Sequence, residues 1–225
     1  MDFWISQLFN GVSYGALLFL LAGGLSLIFG MMRIVNMTHG SYYLLGGYVA
    51  LTVIWRTGSF ALAVVLGALT ISLVGIAEWN AFLKRLSGQE LGQVLTTMGF
   101  ALIFQDLALV LWGGDPYTIS VPAALSGSLV VGQLYFPVYR IFIVVVAGGF
   151  VGVYPGADFE ILPYAFVVVI VGGMGSLKGA LIGSLMVGLL DNFGKALFPE
   201  LSYFTLFAPM AAILAVRPTG LFGRA

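Results

Sequence analysis

A long apolar run near the carboxyl end of the sequence is broken at its centre by a cluster of small residues. The run extends from Ile161 to Phe193, and its break is Gly172-Gly173-Met174-Gly175-Ser176. A membrane-spanning helix needs about 20 apolar residues, and irregular backbone inside a bilayer is tolerated only where protein or water satisfies its polar groups. The pattern predicts a discontinuous membrane helix whose break either lines a transport path or allows close helix packing.

The composition excludes a soluble domain. The chain is 60% hydrophobic and 8% charged, with a mean hydropathy of +1.08, and a soluble fold could not cover so much apolar surface. Nine basic and nine acidic residues cancel, so no nucleic-acid partner is indicated. The absence of cysteine excludes disulfides and thiolate metal ligands. The single histidine makes a metal site improbable, no catalytic constellation is present, and no phosphate-binding loop that would serve ATP hydrolysis occurs.

The apolar segments predict an all-α, polytopic transmembrane helical bundle that forms a single domain over residues 1–225. A charged stretch from Glu78 to Glu90 ends the third segment, and Tyr117 to Pro137 is interpreted as an extramembrane loop. Asp191-Asn192 is interpreted as interfacial. Apart from the broken run, the predicted segments are Leu8–Phe29, Ile34–Trp55, Phe60–Ala77, Val94–Trp112 and the short Tyr203–Val216.

One segment is too short to span a bilayer. Only 13 residues, IFIVVVAGGFVGV, lie between Arg140 and the turn Tyr154-Pro155-Gly156. As a helix they would reach about 20 Å, whereas the hydrocarbon core is about 30 Å thick. The segment is therefore expected to lie at the interface, to re-enter the membrane, or to thin it locally.

Polar residues inside the apolar segments are the candidates for function, because a polar group facing lipid is costly. Asn36, His39 and Gly40 share a helical face if the second segment is helical from its start. They either line a substrate route or hydrogen-bond a neighbouring helix, and the second alternative is favoured. Asp106, next to Gln105, is either a buried hydrogen-bond partner or part of a polar path. The candidates for a substrate path or gate are Asn36, His39, Gly40, Gln105, Asp106, Gly172, Gly173, Gly175 and Ser176.

Four stretches in order along the chain carry a family resemblance. They are RIVNMTHG with LLGGY (Arg33–Tyr48), LTTMGFALIFQDLALVLWGGDPY (Leu95–Tyr117), VVVIVGGMGSLKGALIG (Val167–Gly183) and VRPTGLFG (Val216–Gly223). Together they resemble the branched-chain amino acid ABC transporter permeases of the LivH type. GGDPY and the stretch Asp191–Leu201 look most like members for amide or urea uptake.

The resemblance implies a transport subunit in the bacterial cytoplasmic (inner) membrane, not an enzyme. It implies a permease that translocates branched-chain amino acids or related small polar solutes, such as urea and short amides. Its partners would be a second, LivM-like permease, two cytoplasmic ATP-binding subunits and an extracytoplasmic solute-binding protein. The chain itself would bind no cofactor, and ATP would be used by the partner subunits.

The chain departs from the family pattern at the short segment. Family members carry a cytoplasmic coupling loop and a further helix after the helix that begins near Arg140, and this chain passes directly through Ala147-Gly148-Gly149. We expect an internal deletion near residues 146–150, which is either genuine or an error in the gene model. Two alternatives to an ABC permease remain: an ATP-independent secondary transporter or channel-like protein, and a non-transporting membrane remnant.

Overall fold

The computed structural model describes residues 2–32, 34, 36–118, 122–131, 134–146 and 157–223. Helices dominate this part of the chain, and one β-hairpin accompanies them. The helices are α1 (Asp2–Met32), α2 (His39–Thr57), α3 (Phe60–Ala81), α4 (Glu90–Trp112), α5 (Val138–Val146), α6 (Ala157–Gly172), α7 (Leu177–Leu197) and α8 (Ser202–Val216). The strands are β1 (Ser128–Val131) and β2 (Leu134–Pro137). The predicted all-α, polytopic bundle is confirmed.

The helices fall into two compact units. The first unit contains α1, the β-hairpin, α5, α6 from Pro163 onward, α7 and α8, and the second contains α2, α3 and α4. The predicted deletion site at 146–150 lies, apart from Val146, outside the described residues. The prediction of a single domain over the whole chain stays a prediction.

Small residues bring α1 and α7 together in the first unit. A Cβ atom placed on Gly15 would lie 2.9 Å from the carbonyl oxygen of Ser184 and 3.0 Å from the Cα of Leu185. Gly11 meets Leu189 in the same way, so the pairing runs antiparallel. Close backbone approach at small residues is how membrane helices associate without a hydrophobic driving force.

The glycine break is a tight turn between two antiparallel helices. α6 ends at Gly172, and α7 begins at Leu177 after Ser176, whose hydroxyl accepts a hydrogen bond from the amide of Gly179 at 3.0 Å. Gly173 has a φ of 100°, which L-residues with a side chain rarely adopt. α7 has 21 residues and is long enough to cross the hydrocarbon core alone. The discontinuity is therefore at the end of a full-length helix rather than at its middle.

The carboxyl-terminal segment closes the end of α6. The amide of Leu221 donates to the carbonyl of Val171, and the amide of Phe222 donates to that of Gly172, each at 2.9 Å. Gly220 and Gly223 allow this segment to lie directly on the backbone of the turn. Carbonyls in the last turn of a helix have no partner within the helix, so the end of the chain satisfies two of them.

The loop predicted between Tyr117 and Pro137 contains the β-hairpin. β1 and β2 pair antiparallel, with Ser128 opposite Pro137 and Val131 opposite Leu134. α5 follows directly and has nine residues, which extend about 13 Å. Residues 147–153 of the predicted short segment lie outside the described residues, so the prediction that it is too short to span a bilayer stays a prediction.

The second unit is a three-helix layer. α3 packs antiparallel on α2, with Gly67 against the carbonyl of Gly46 and Gly75 against Tyr42. α4 also packs on α2, where the indole of Trp112 donates to the Thr52 hydroxyl at 2.8 Å. The core of this unit consists of Leu44, Leu45, Tyr48, Leu51 and Ala108.

Four described helices are long and apolar enough to cross a membrane: α3, α4, α7 and residues Phe3–Gly30 of α1. Only 11% of the most apolar window of α3 and 17% of that of α4 are buried. Exposed leucine and valine side chains cover the remaining surface of both helices. Water is a poor solvent for so large an apolar surface, which agrees with a helix that faces lipid or another membrane subunit.

Candidate functional site

A polar cavity of about 450 Å³ lies within the first unit. Three of its elements contribute side chains: α1, α5 and α7. Its lining combines two cations, one carboxylate, two amides and three hydroxyl groups. The lining residues are Asn10, Ser13, Tyr14, Leu17, Tyr139, Arg140, Asp191, Asn192 and Lys195. Such a concentration of polar groups is unusual in a chain with so few charges, and polar groups inside a membrane bundle mark solute pathways by default.

Asp191 is the buried anion of this cavity, with 2% of its surface exposed. One carboxylate oxygen, Oδ2, forms an ion pair with Lys195 at 2.7 Å, one helical turn further along α7. The other, Oδ1, is buried and has no hydrogen-bond partner among the described residues. Asp191 is thus buried and paired within the protein, and its interpretation as a residue at the membrane interface stays a prediction.

Lys195 extends over two aromatic rings. Its ammonium donates to the Tyr164 hydroxyl at 3.2 Å and lies 5.4 Å from the centre of that ring and 6.0 Å from that of Tyr14. The lysine side chain is 47% exposed, so it stands at the open side of the ion pair. Contacts with ring faces stabilise a cation that is partly removed from water.

Arg140 enters the cavity from α5. Its Nη1 group donates to Oδ1 of Asn10, and its Nε group donates to the Tyr139 hydroxyl at 3.2 Å. Asn192 donates to the carbonyl of Gln7 at 2.8 Å, which ties α7 to the first turns of α1. These bonds hold the polar side chains of three elements around one space.

The sequence shows polar residues on each of the three segments that form this cavity. Asn10 and Tyr14 are four residues apart on α1, and Asp191 and Lys195 have the same spacing on α7. Residues four apart share a helical face. Arg140 stands before an apolar segment. What the sequence did not show is that α1, α5 and α7 are neighbours, since no local pattern encodes their pairing.

Asn36, His39 and Gly40 lie in the second unit at the start of α2. Asn36 is buried, and its side-chain oxygen accepts from the amide of Thr38 at 2.9 Å. Gly40 is buried and His39 is partly exposed, within the first turn of α2. None of the three is among the residues that line the described cavity. Their role in a substrate path stays a prediction.

A buried carboxylate of α3 holds the turn at the start of α2. The sequence pattern predicts this carboxylate to lie outside the membrane segments. Glu78 is only 3% exposed and lies inside α3. The Tyr42 hydroxyl donates to its Oε2, while the Thr38 hydroxyl lies 3.0 Å from its Oε1 and 3.2 Å from the Thr97 carbonyl. The prediction that the third segment ends before Glu78 is therefore wrong. A buried carboxylate needs such partners, and here they join α2, α3 and α4.

We expect Glu78→Leu to destabilise the folded chain, because it leaves the Tyr42 hydroxyl without its acceptor and the Thr38 hydroxyl with the Thr97 carbonyl alone. A buried unsatisfied donor costs about 1–3 kcal/mol. Glu78→Gln keeps an acceptor oxygen and should retain most of the stability. The measurement is the free energy of unfolding in mixed detergent micelles. Glu90→Leu, at an exposed position on α4, is the matched control, and equal losses for the two leucine variants would contradict a role of the network.

Asp106 is exposed on α4, and Gln105 is partly exposed. Asp106 is therefore not buried within the second unit, and its role as a buried hydrogen-bond partner stays a prediction. A carboxylate in the middle of a membrane helix costs about 2.5–3.5 kcal/mol when it faces lipid. Water or protein outside the second unit must therefore cover it, and its part in a polar path stays a prediction.

The four candidates at the break lie at the α6–α7 turn. Gly172 and Gly173 are buried, Ser176 is partly exposed and Gly175 is exposed. A Cβ atom on Gly172 would overlap the backbone of Gly179, and one on Gly173 would overlap that of Gly223. Close packing explains both buried glycines. The four residues do not line the described cavity, and a gating role for them stays a prediction.

A family model described as "Branched-chain amino acid transport system / permease component" matches this chain. It matches residues 7–148 and, in a separate segment, residues 142–214. The two segments overlap at residues 142–148, which include part of the expected deletion site at 146–150. No solved structure matches the chain significantly.

Curated proteins that are named as permeases for branched-chain amino acids align with this chain over nearly their whole length. A high-affinity branched-chain amino acid transport system permease protein, BraD of Pseudomonas aeruginosa, is 22% identical over 297 residues, covering 98% of this chain and 96% of BraD. The corresponding LivH proteins of Escherichia coli K12 and Salmonella typhimurium are 24% and 23% identical over 301 residues, each covering 99% of this chain and 96% of the relative. The BraD alignment has 297 positions and this chain has 225 residues, so at least 72 positions have no counterpart here.

The family match covers most of the chain, and the apolar helices agree with it. The protein is a multi-pass protein of the bacterial inner membrane. Its relatives are transport subunits rather than enzymes. The chain belongs to the family of branched-chain amino acid transport system permease components.

Proposed function

We propose that this chain is the translocation subunit of an ABC importer for branched-chain amino acids or related small polar solutes. The observation that carries the proposal is the family match, which follows the chain in order from residue 7 to residue 214. The polar cavity between α1, α5 and α7 supplies a place for a solute inside the bundle. We further propose that the chain hydrolyses no ATP and binds no cofactor, since it contains no phosphate-binding loop.

The partners follow from this function. They would be a second permease, two ATP-binding subunits in the cytoplasm and an extracytoplasmic solute-binding protein. A permease receives the free energy of ATP hydrolysis only through a contact with the ATP-binding subunits. We propose that the segment making this contact is missing near residues 146–150. The two-part family match and the positions without counterpart support a deletion there.

We expect this 225-residue form, reconstituted in proteoliposomes with its cognate partner subunits, to show little ATP-dependent uptake of leucine. The control is a chimera that carries at 146–150 the corresponding segment of E. coli LivH, and it should regain uptake. Robust uptake by the short form would contradict the missing contact. Uptake driven by an ion gradient in the isolated chain would instead favour a secondary transporter. If the chain and the chimera insert stably but show neither ATP-dependent nor ion-gradient-driven uptake, a non-transporting remnant would be favoured.

A further inference from the structure

The charges in the cavity are of both signs and come from different elements. α7 contributes the Asp191 carboxylate and the Lys195 ammonium, and α5 contributes the Arg140 guanidinium. These are three of the chain's 18 formally charged side chains, nine basic and nine acidic. A cavity of this composition suits a ligand that itself carries both charges.

The unpartnered oxygen of Asp191 is the position for a cation. Asp191 Oδ1 is buried without a partner among the described residues, while Oδ2 holds Lys195. Leaving a buried acceptor unpaired is costly. A ligand that donates a hydrogen bond to Oδ1 removes this cost, which favours its binding. An ammonium group has three donors and matches the negative charge.

Arg140 is the position for an anion. The two bonds to Asn10 and Tyr139 fix its guanidinium and use two of its five donors. A guanidinium matches a carboxylate through two parallel hydrogen bonds. Because its orientation is already held by α1 and by its own helix, little additional ordering is needed when an anion binds.

We propose that this cavity binds the zwitterionic head of an amino acid, with its ammonium group on Asp191 and its carboxylate on Arg140. The proposal rests on the proposed function. Among the substrates named there, it selects zwitterionic amino acids over urea and short amides, which carry no charge. The volume of about 450 Å³ lies within the range of small-molecule sites. Leu17 and the rings of Tyr14 and Tyr139 supply an apolar wall for an aliphatic side chain.

Lys195, bonded to Oδ2, is the cation that compensates the Asp191 charge when no ligand is bound. It is half exposed and bonded to one oxygen of Asp191, so it can swing outward along the Tyr14 and Tyr164 rings that it already contacts. The ligand ammonium then replaces one cation with another, and Asp191 is never left as an uncompensated buried charge. This exchange avoids the penalty that breaking a buried ion pair otherwise carries.

The test is calorimetric titration of the purified full chain in nanodiscs with four probes. L-leucine has both charges, leucinamide lacks the carboxylate, 4-methylpentanoate lacks the ammonium group, and acetamide has no charge. We expect leucine to bind on the order of ten- to a hundredfold more tightly than either singly charged analogue, because bonds to charged groups are the strong ones. Acetamide should bind most weakly.

Two variants assign the charges. Asp191→Asn should reduce leucine affinity to that of 4-methylpentanoate and leave 4-methylpentanoate itself unchanged. Arg140→Gln should reduce leucine affinity to that of leucinamide and leave leucinamide unchanged. Asp115→Asn and Arg56→Gln make the same chemical changes at exposed positions outside the cavity and should bind leucine as the parent chain does. Thermal unfolding midpoints of all variants show which remain folded.

Equal affinities for leucine and its two analogues would overturn the proposal, as would an absence of leucine binding or a preference for acetamide. If either cavity variant fails to fold, the comparison of analogues on the parent chain still decides the matter. These outcomes are separate from the proposed function. A chain that binds acetamide better than leucine could still be the translocation subunit of an importer, which the uptake experiment tests independently.

Discussion

Gly15→Leu is expected to separate α1 from α7 and to destabilise the first unit. A Cβ atom added at Gly15 would lie 2.9 Å from the carbonyl oxygen of Ser184 and 3.0 Å from the Cα of Leu185, both closer than van der Waals contact. Backbone cannot move aside as a flexible side chain can, so the helices must move apart. Overpacking typically costs about 1–3 kcal/mol, and occasionally more. We expect a loss at the upper end of that range.

Gly99→Leu is the matched control for this variant. Gly99 lies within α4, and no atom stands within 4 Å of the position that its Cβ would occupy. Leucine is a better helix former than glycine, so this change should be neutral or slightly stabilising. The measurement is the free energy of unfolding in mixed micelles. Similar values for the two variants would show that α1 and α7 do not depend on close backbone contact.

Gly173→Ala is expected to release the carboxyl-terminal segment from the end of α6. The backbone at Gly173 has a φ of 100°, and holding an alanine in such a conformation costs about 1–3 kcal/mol. The added methyl group would also overlap the backbone of Gly223. Relief of this overlap requires either a change of the turn or loss of the hydrogen bonds made by Leu221 and Phe222. We expect the second, since the turn also holds the start of α7.

The absence of cysteine in the chain provides a direct readout for this release. A single cysteine at Leu221 would be the only thiol, and its labelling rate should rise in the Gly173→Ala background. Gly58→Ala is the control, because Gly58 also has a positive φ, 67°, but nothing lies near its Cβ position. If both alanine variants leave the labelling rate unchanged, the carboxyl-terminal segment does not depend on the glycine.

The membrane helices could be predicted from the sequence because each contains a long apolar run. Phe60 begins α3 as expected, after Ser59, whose hydroxyl accepts a hydrogen bond from the Leu62 amide. The end of α3 was missed, because Glu78 looks like a residue for water. Only its tertiary partners Thr38 and Tyr42 make burial possible, and those residues are about 40 positions away in the sequence.

The candidate site could be predicted less well, for the same physical reason. Polar residues in apolar segments were recognised at Asn36 and Asp106, where the local contrast is strong. The cavity instead depends on Asn10, Arg140 and Asp191, which are far apart in the sequence and meet only because α1, α5 and α7 pack together. The β-hairpin was missed although two apolar stretches separated by two residues, one of them glycine, are typical of a hairpin.

The pairing of α1 with α7 has a consequence for how the chain is made. Met32 at the end of α1 and Leu177 at the start of α7 are 145 positions apart in the sequence. At a synthesis rate of about 5–20 residues per second, α1 waits on the order of ten seconds in the membrane for its partner. α2, α3 and α4 follow one another directly and can pair as they emerge. A ribosome stalled before residue 177 therefore leaves a chain whose second unit has been made and whose first helix has no partner for the glycines that would face α7.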